Sequence, residues 1–173
     1  MSPRAAWRLE TLGFAEVYDY EGGKQDWAAA GLPTEGKLAE RPRAGVVASR
    51  DVPTCRLDER VGAVRERVRA AGSPVCVVVN DERVVLGVLG EEQLEAADDE
   101  RVERAMRPGP STFRPNVDIE EMAGFMIEHD LATALVTTSD GKLVGLLRRE
   151  DAARAAHEEH LRHHGTGGED EDG

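Results

Sequence analysis

Val75-Cys-Val-Val-Val-Asn-Asp-Glu-Arg-Val-Val-Leu-Gly87 and Thr133-Ala-Leu-Val-Thr-Thr-Ser-Asp-Gly-Lys-Leu-Val-Gly145 lie over one another without a gap when the chain is slid against itself by 58 positions. The match runs on in both directions. Gly87-Val-Leu lies over Gly145-Leu-Leu and Glu92 over Glu150, while upstream Val61, Val64 and Val68 fall on Ile119, Met122 and Met126. Few residues are identical, but the apolar pattern is kept throughout, which marks a duplicated module.

The periods inside each copy give its structure. Val61, Val64, Val68 and Ala71 recur at helical spacing, as do Ile119, Met122 and Met126, so each copy holds an amphipathic helix. Asp118 followed by Glu121 reads as a capping box opening the second of these helices. Two β-branched runs follow each helix: Val75–Val79 and Val84–Leu89, then Leu135–Thr138 and Leu143–Leu147. The links Asn80-Asp81-Glu82-Arg83 and Ser139-Asp140-Gly141-Lys142 have turn composition and predict hairpins. A further helix is expected from about Glu91 and from about Arg149, and a short extended piece at Asp51–Leu57 and Gly109–Pro115. Each unit is thus strand–helix–strand–strand–helix, an α/β (α+β) layer whose sheet has one face in need of cover. Two such sheets can cover each other.

Asp51–Leu94 and Met106–Ala152 resemble tandem CBS domains, which pack through their sheets as a pseudo-symmetric pair. The stretch Asp140-Gly-Lys-Leu-Val-Gly-Leu-Leu-Arg-Arg-Glu-Asp151 carries the likeness most specifically. The resemblance implies a homodimeric regulatory module with adenosine ligands (AMP, ADP, ATP or S-adenosylmethionine) in the clefts between the units, and no obligatory cofactor. The family's ligand signature is Gly, two apolar residues, Ser or Thr, two variable residues and an Asp that accepts the ribose hydroxyls. In the second unit Gly145-Leu-Leu-Arg148-Arg-Glu-Asp151 keeps the Asp, and Arg148 in place of Ser or Thr could meet a phosphate as a charged fork. Thr112 and Thr133 are pocket candidates by their place in the repeat. The first unit reads Gly87-Val-Leu-Gly90-Glu-Glu-Gln93, with neither polar landmark and two acids that repel phosphate. An Asp in the first turn of a helix is also favoured by the helix dipole alone, so Asp151 has a purely structural reading beside the ligand one.

Ser2-Pro-Arg-Ala-Ala-Trp-Arg-Leu, Val17-Tyr-Asp-Tyr-Glu-Gly-Gly, Trp27 and Gly31-Leu-Pro33 resemble the last third of a rhodanese domain, predicting a helix, a strand and a second helix over residues 1–36. The catalytic cysteine of that family lies in a loop ahead of this helix, at whose end the sequence begins. Cys55 and Cys76 fall in the other domain, so sulfur transfer is not expected from these residues. A sulfurtransferase shortened by a miscalled start, or a dimeric interaction scaffold with an unknown protein partner and no ligand, are the alternatives to the regulatory reading. The divisions expected are 1–36 for the fragment, 37–44 for a linker, 45–98 and 99–156 for the two repeat units, and 157–173 for a disordered acidic, histidine-containing tail.

Composition limits the remaining functions. With 34 acidic against 22 basic residues the formal charge is −12, which repels nucleic acid and anionic lipid. No apolar run is long enough to span a bilayer, and the start lacks the apolar stretch of a signal peptide, so a cytoplasmic protein is expected. The basic residues are almost all Arg, a hint of a GC-rich genome, which suits a bacterial source. Cys55 and Cys76 read as buried reduced thiols, with a disulfide or redox switch as the alternative. His157, His160, His163 and His164 have helical spacing, but a frayed helix end is the simpler reading, and no metal site is expected.

Overall fold

The computed structural model describes residues 8–17, 23, 27 and 41–164. Most of the rhodanese-like stretch, including the expected strand and all of the expected second helix but Trp27, and residues 165–173 of the expected tail lie outside these. Within it, residues 8–11 are helical and the chain leaves through Gly13 at φ +92°, a conformation that favours glycine.

From Arg41 onward the order is α1 (Ala44–Val47), β1 (Thr54–Cys55), α2 (Val61–Ala71), β2 (Cys76–Val79), β3 (Val85–Leu89), α3 (Glu91–Leu94), α4 (Val102–Ala105), β4 (Arg107–Pro108), β5 (Thr112–Phe113), α5 (Ile119–Glu128), β6 (Thr133–Thr137), β7 (Leu143–Arg148) and α6 (Arg149–His164). The sheets run β1-β2-β3-β4 and β5-β6-β7. The first strand of each unit pairs in parallel with the second, and the second and third form a hairpin, with an irregularity at the same repeat position, Val78/Val79 and Val136/Thr137.

Side chains of β2 and β6 alternate between the two faces, while in β3 and β7 the irregularity puts residues three apart on one face. Cys76, Val78 and Leu89 pack with Val64 and Val68 of α2, and Ala134, Val136, Val144 and Leu147 pack with Ile119, Met122 and Met126 of α5. The other faces, Val77, Val79 and Val88 from one sheet and Leu135, Leu143 and Leu146 from the other, meet in a third cluster. The molecule is therefore four layers, helices–sheet–sheet–helices. Each sheet is buried on both sides, which is why its strands are continuously apolar.

The units also exchange backbone. Ser49, just ahead of unit one, bonds both ways with Leu146 of unit two at 2.9 Å, and β4, just ahead of unit two, pairs with Gly87 and Val88 of unit one. Ala44 donates to the Val117 carbonyl and Gly45 to that of Pro115, while Val102 and Glu103, 58 residues on, donate to Glu59 and Leu57. The hairpin tips join too, through Val85 to Gly141 and Leu143 to Arg83. At its own tip Asp140 is held at about 2 by hydrogen bonds from Lys142 and Thr138.

Four expectations need correction. Ala71 is exposed, so the buried stripe of α2 ends at Val68. Asp118 caps α5 by accepting from Glu120 N, while the glutamine-to-backbone half of a capping box is found elsewhere, from Gly90 to Gln93. The segment placed in a linker is docked from Arg41, whose guanidinium meets Asp118 and Glu159, and Ala44 is fully buried. Finally, residues 157–164 are helical rather than disordered, because Ala152, Ala155, Ala156 and Glu159 continue one inward face of α6 against α5 and α1.

Candidate functional site

Thr133 opens β6 and stands in register with Arg148, the last residue of β7. Three residues on, Asp151 lies in the first turn of α6, where an acid meets the unpaired amides of the helix start. That turn is fixed to the mouth of β6 by a 3.0 Å bond from Arg149 N to the Ala132 carbonyl, and by the Arg149–Asp130 ion pair at 2.8 Å. Thr133, Arg148 and Asp151 are thus brought to one end of the second sheet. Thr112 is exposed on β5 opposite Leu135, two positions further along β6.

Arg148 reaches out of its own unit. Its guanidinium lies 3.4 Å from the carbonyl of Gly72, the left-handed C-cap of α2, and 3.9 Å from Glu150. Asp151 is ion-paired with Arg154 one turn on and remains partly accessible. The arrangement sets a carboxylate acceptor and a forked cation at the same end of the second sheet, the cation reaching across to unit one. A ribose hydroxyl pair and a phosphate are the groups these two side chains suit. The reach of Arg148 to unit one has no signal in the sequence beyond the arginine itself.

The equivalent place in unit one differs chemically. Gln93 stands at the position of Asp151, and its side-chain oxygen is occupied in accepting the Gly90 N–H at 3.1 Å. Val75 replaces Thr133, and Glu91 and Glu92 set negative charge there. A hollow of about 630 Å³ does open in this unit, lined by Arg65, Arg69, Ser73, Pro74, Glu91, Leu94 and Glu95. It exists because α3 stops after one turn where α6 continues for four, and none of the four candidate residues lines it.

The two cysteines are free and buried in the core of unit one. Contact with the Cys76 thiol, together with burial, pushes the Cys55 thiol far above its ordinary range, so it stays protonated and unreactive. Native protein should therefore show almost no labelling by a thiol-specific disulfide reagent within minutes, and two thiols per chain in guanidinium; rapid native labelling would contradict the buried placement. No group of three or more His, Cys, Asp or Glu residues is disposed to hold a metal among the described residues.

Residues 102–158 match the family model described as CBS domain. Among solved structures, the cytosolic domain of the Mg2+ channel MgtE in complex with ATP matches at 26% identity and a TM-score of 0.60, over 68% of this chain and 50% of that one. CBSX2 in complex with AMP matches at 22% identity and 0.62, over 69% and 98%. A CBS domain pair in complex with 5′-methylthioadenosine and S-adenosyl-L-methionine matches at 13% and 0.59, over 69% and 98%. The chain spans about half the length of the MgtE domain it matches.

Proposed function

The CBS-domain match in the second unit and the CBS-pair fold of the whole repeat are the premises; within them, we propose that the protein is a non-catalytic regulatory module that binds one adenosine-type ligand per chain. The ligand would sit at the seam beside unit two, with Asp151 accepting the ribose hydroxyls, Arg148 facing a phosphate, and Thr133 and Thr112 lining the pocket. The observation that carries the reading is the convergence of Thr133, Arg148 and Asp151 at one sheet end, with Arg148 spanning to Gly72. ATP, AMP and S-adenosylmethionine in the matching structures support the ligand class. The unit-one site is degenerate on this account, since Gln93 is committed to its own helix. No helix among the described residues is long and apolar enough to cross a membrane.

The likeness of residues 1–36 to a rhodanese end belongs to the alternative below, as a docking surface rather than a catalyst. A second reading, a ligand-free dimeric scaffold, draws on the exposure of Phe125 and Ile127 on α5.

A melting series with AMP, ADP, ATP and S-adenosylmethionine separates the two. Saturation to 100 times Kd corresponds to about 2.7 kcal/mol of added stability. On the regulatory reading at least one of the four raises Tm by several degrees, Asp151→Ala abolishes that rise, and Arg148→Ala weakens it most for the phosphorylated ligands. No rise with any of them in the unaltered protein would leave the scaffold.

A further inference from the structure

Asp151, the carboxylate proposed to take the ribose hydroxyls, already has a partner on its own helix. Its Oδ1 accepts from the guanidinium of Arg154 one turn further along α6, and the two side chains are 29% and 66% exposed. Arg154 stands off the inward face of α6, which runs through Ala152, Ala155 and Ala156 into the core of unit two. A carboxylate offers two oxygens, and a vicinal pair of hydroxyls donates one hydrogen bond to each. Arg154 takes one of those two oxygens. A ribose and Arg154 therefore compete for the same atom. Unit one has no such contest: Ala96 stands at the repeat position of Arg154, and Gln93 accepts from the backbone of its own helix start.

From this contact we infer that Arg154 is an internal competitor for Asp151, lowering the affinity of the site for a ribose-bearing ligand and tying that affinity to ionic strength. Arg154 acts on the ligand only through the Asp151 carboxylate, and it has this role only if the ligand reading proposed above holds. Both members of the pair reach solvent, so the pair is weak and is screened by salt, and a ligand displaces it at low cost. The sign of the salt effect sets the device apart. Attraction between a phosphate and an arginine fades as salt rises. Release of Asp151 from Arg154 does the opposite, strengthening the grip on the ribose hydroxyls as salt rises.

Isothermal titration of the full-length protein with adenosine tests it. Adenosine carries the ribose hydroxyls without a phosphate, so it has no charge of its own to respond to Arg154 or to salt. At low salt Arg154→Gln should bind adenosine about two- to fivefold more tightly than the unaltered protein, the range an exposed ion pair supports, and Arg154→Lys, which keeps the charge, should fall back toward the unaltered value. Between about 10 mM and 1 M salt the screening length falls from about 30 Å to about 3 Å, and the unaltered protein should gain about twofold in affinity relative to Arg154→Gln. In an Asp151→Asn background the Arg154→Gln change should have no effect, which a merely structural role for Arg154 would not produce. Circular dichroism melts of each variant report folding independently. Weaker adenosine binding in Arg154→Gln would overturn the inference, by showing that Arg154 steadies the carboxylate or touches the ligand. Unchanged binding, or an equal effect in the Asp151→Asn background, would overturn it too, and each of these results leaves the ligand reading standing. No adenosine binding by the unaltered protein or by Arg154→Gln would overturn the ligand reading and this inference together.

Discussion

Gly145→Ala is expected to destabilise the protein by about 3 kcal/mol, lowering Tm by roughly 10 °C. A Cβ at this position would lie 2.5 Å from the carbonyl oxygen of Ser49 and 3.1 Å from its carbonyl carbon. Those atoms are backbone, and they are held by the two 2.9 Å bonds that join Ser49 to Leu146. The clash cannot be relieved without parting the backbone bridge that unit two makes with the segment ahead of unit one. The repeat partner Gly87 meets the Met106 sulfur at 2.6 Å and the Arg107 carbonyl oxygen at 2.9 Å. The methionine side chain can rotate away, but the Arg107 carbonyl oxygen is backbone and must shift by a few tenths of an ångström, so Gly87→Ala should cost less than Gly145→Ala without being neutral. Chemical denaturation of the two variants gives the ranking directly. Equal costs, or a Gly145→Ala change within about 0.5 kcal/mol, would show that the crossing is looser than described.

The second large effect concerns Leu89 and Leu147, which occupy the same place in the two units and are both fully buried. Leu89 packs with the core between the first sheet and α2, and Leu147 with the core between the second sheet and α5. Truncation of either to alanine removes buried apolar area and leaves a cavity, at a cost of about 3 kcal/mol. Because each sheet is completed by the other unit's leading segment and the sheets share a third cluster, both changes should shift one and the same cooperative transition. A transition that splits in two for either variant, followed by differential scanning calorimetry, would mean that the units unfold separately.

These two expectations show which features were legible in the sequence. Continuous apolar runs along Val75–Val79 and Leu143–Leu147, and helical spacing along Val61–Val68 and Ile119–Met126, were enough to place the elements and their two-layer units, because those patterns are local. The gapless register also foretold that Gly87 and Gly145 are equivalent. The reason glycine is needed there was not legible, since it depends on backbone arriving from the segment ahead of the other unit. The end of α3 at Leu94 and the extension of α6 to His164 were also missed. Both helices begin on a similar pattern, and their lengths are decided by what they pack on: Arg65 holds the carbonyls of Leu94 and Ala96, whereas the inward residues of α6 continue to Glu159.

The candidate site divides in the same way. Asp151 and Arg148 could be picked out from residue types at fixed spacing, and Thr133 from its place in the repeat. The structure adds that Thr133 and Arg148 are cross-strand neighbours and that Arg148 extends to the C-cap of α2. It also shows a physical difference between the units: Gln93, at the repeat position of Asp151, is turned back onto Gly90 and accepts its N–H.

Isothermal titration of the full-length protein with AMP, ADP, ATP and S-adenosylmethionine, alongside Asp151→Asn, tests the central claim most directly. The substitution keeps the shape of the side chain and removes the charge that the proposal assigns to the ribose hydroxyls. The account predicts one bound ligand per chain for at least one of the four, and a loss of affinity of tenfold or more in Asp151→Asn, on the scale of a charged hydrogen bond worth about 1.5–3 kcal/mol. No heat with any of the four, two equivalent sites per chain, or an affinity unchanged by Asp151→Asn would contradict it.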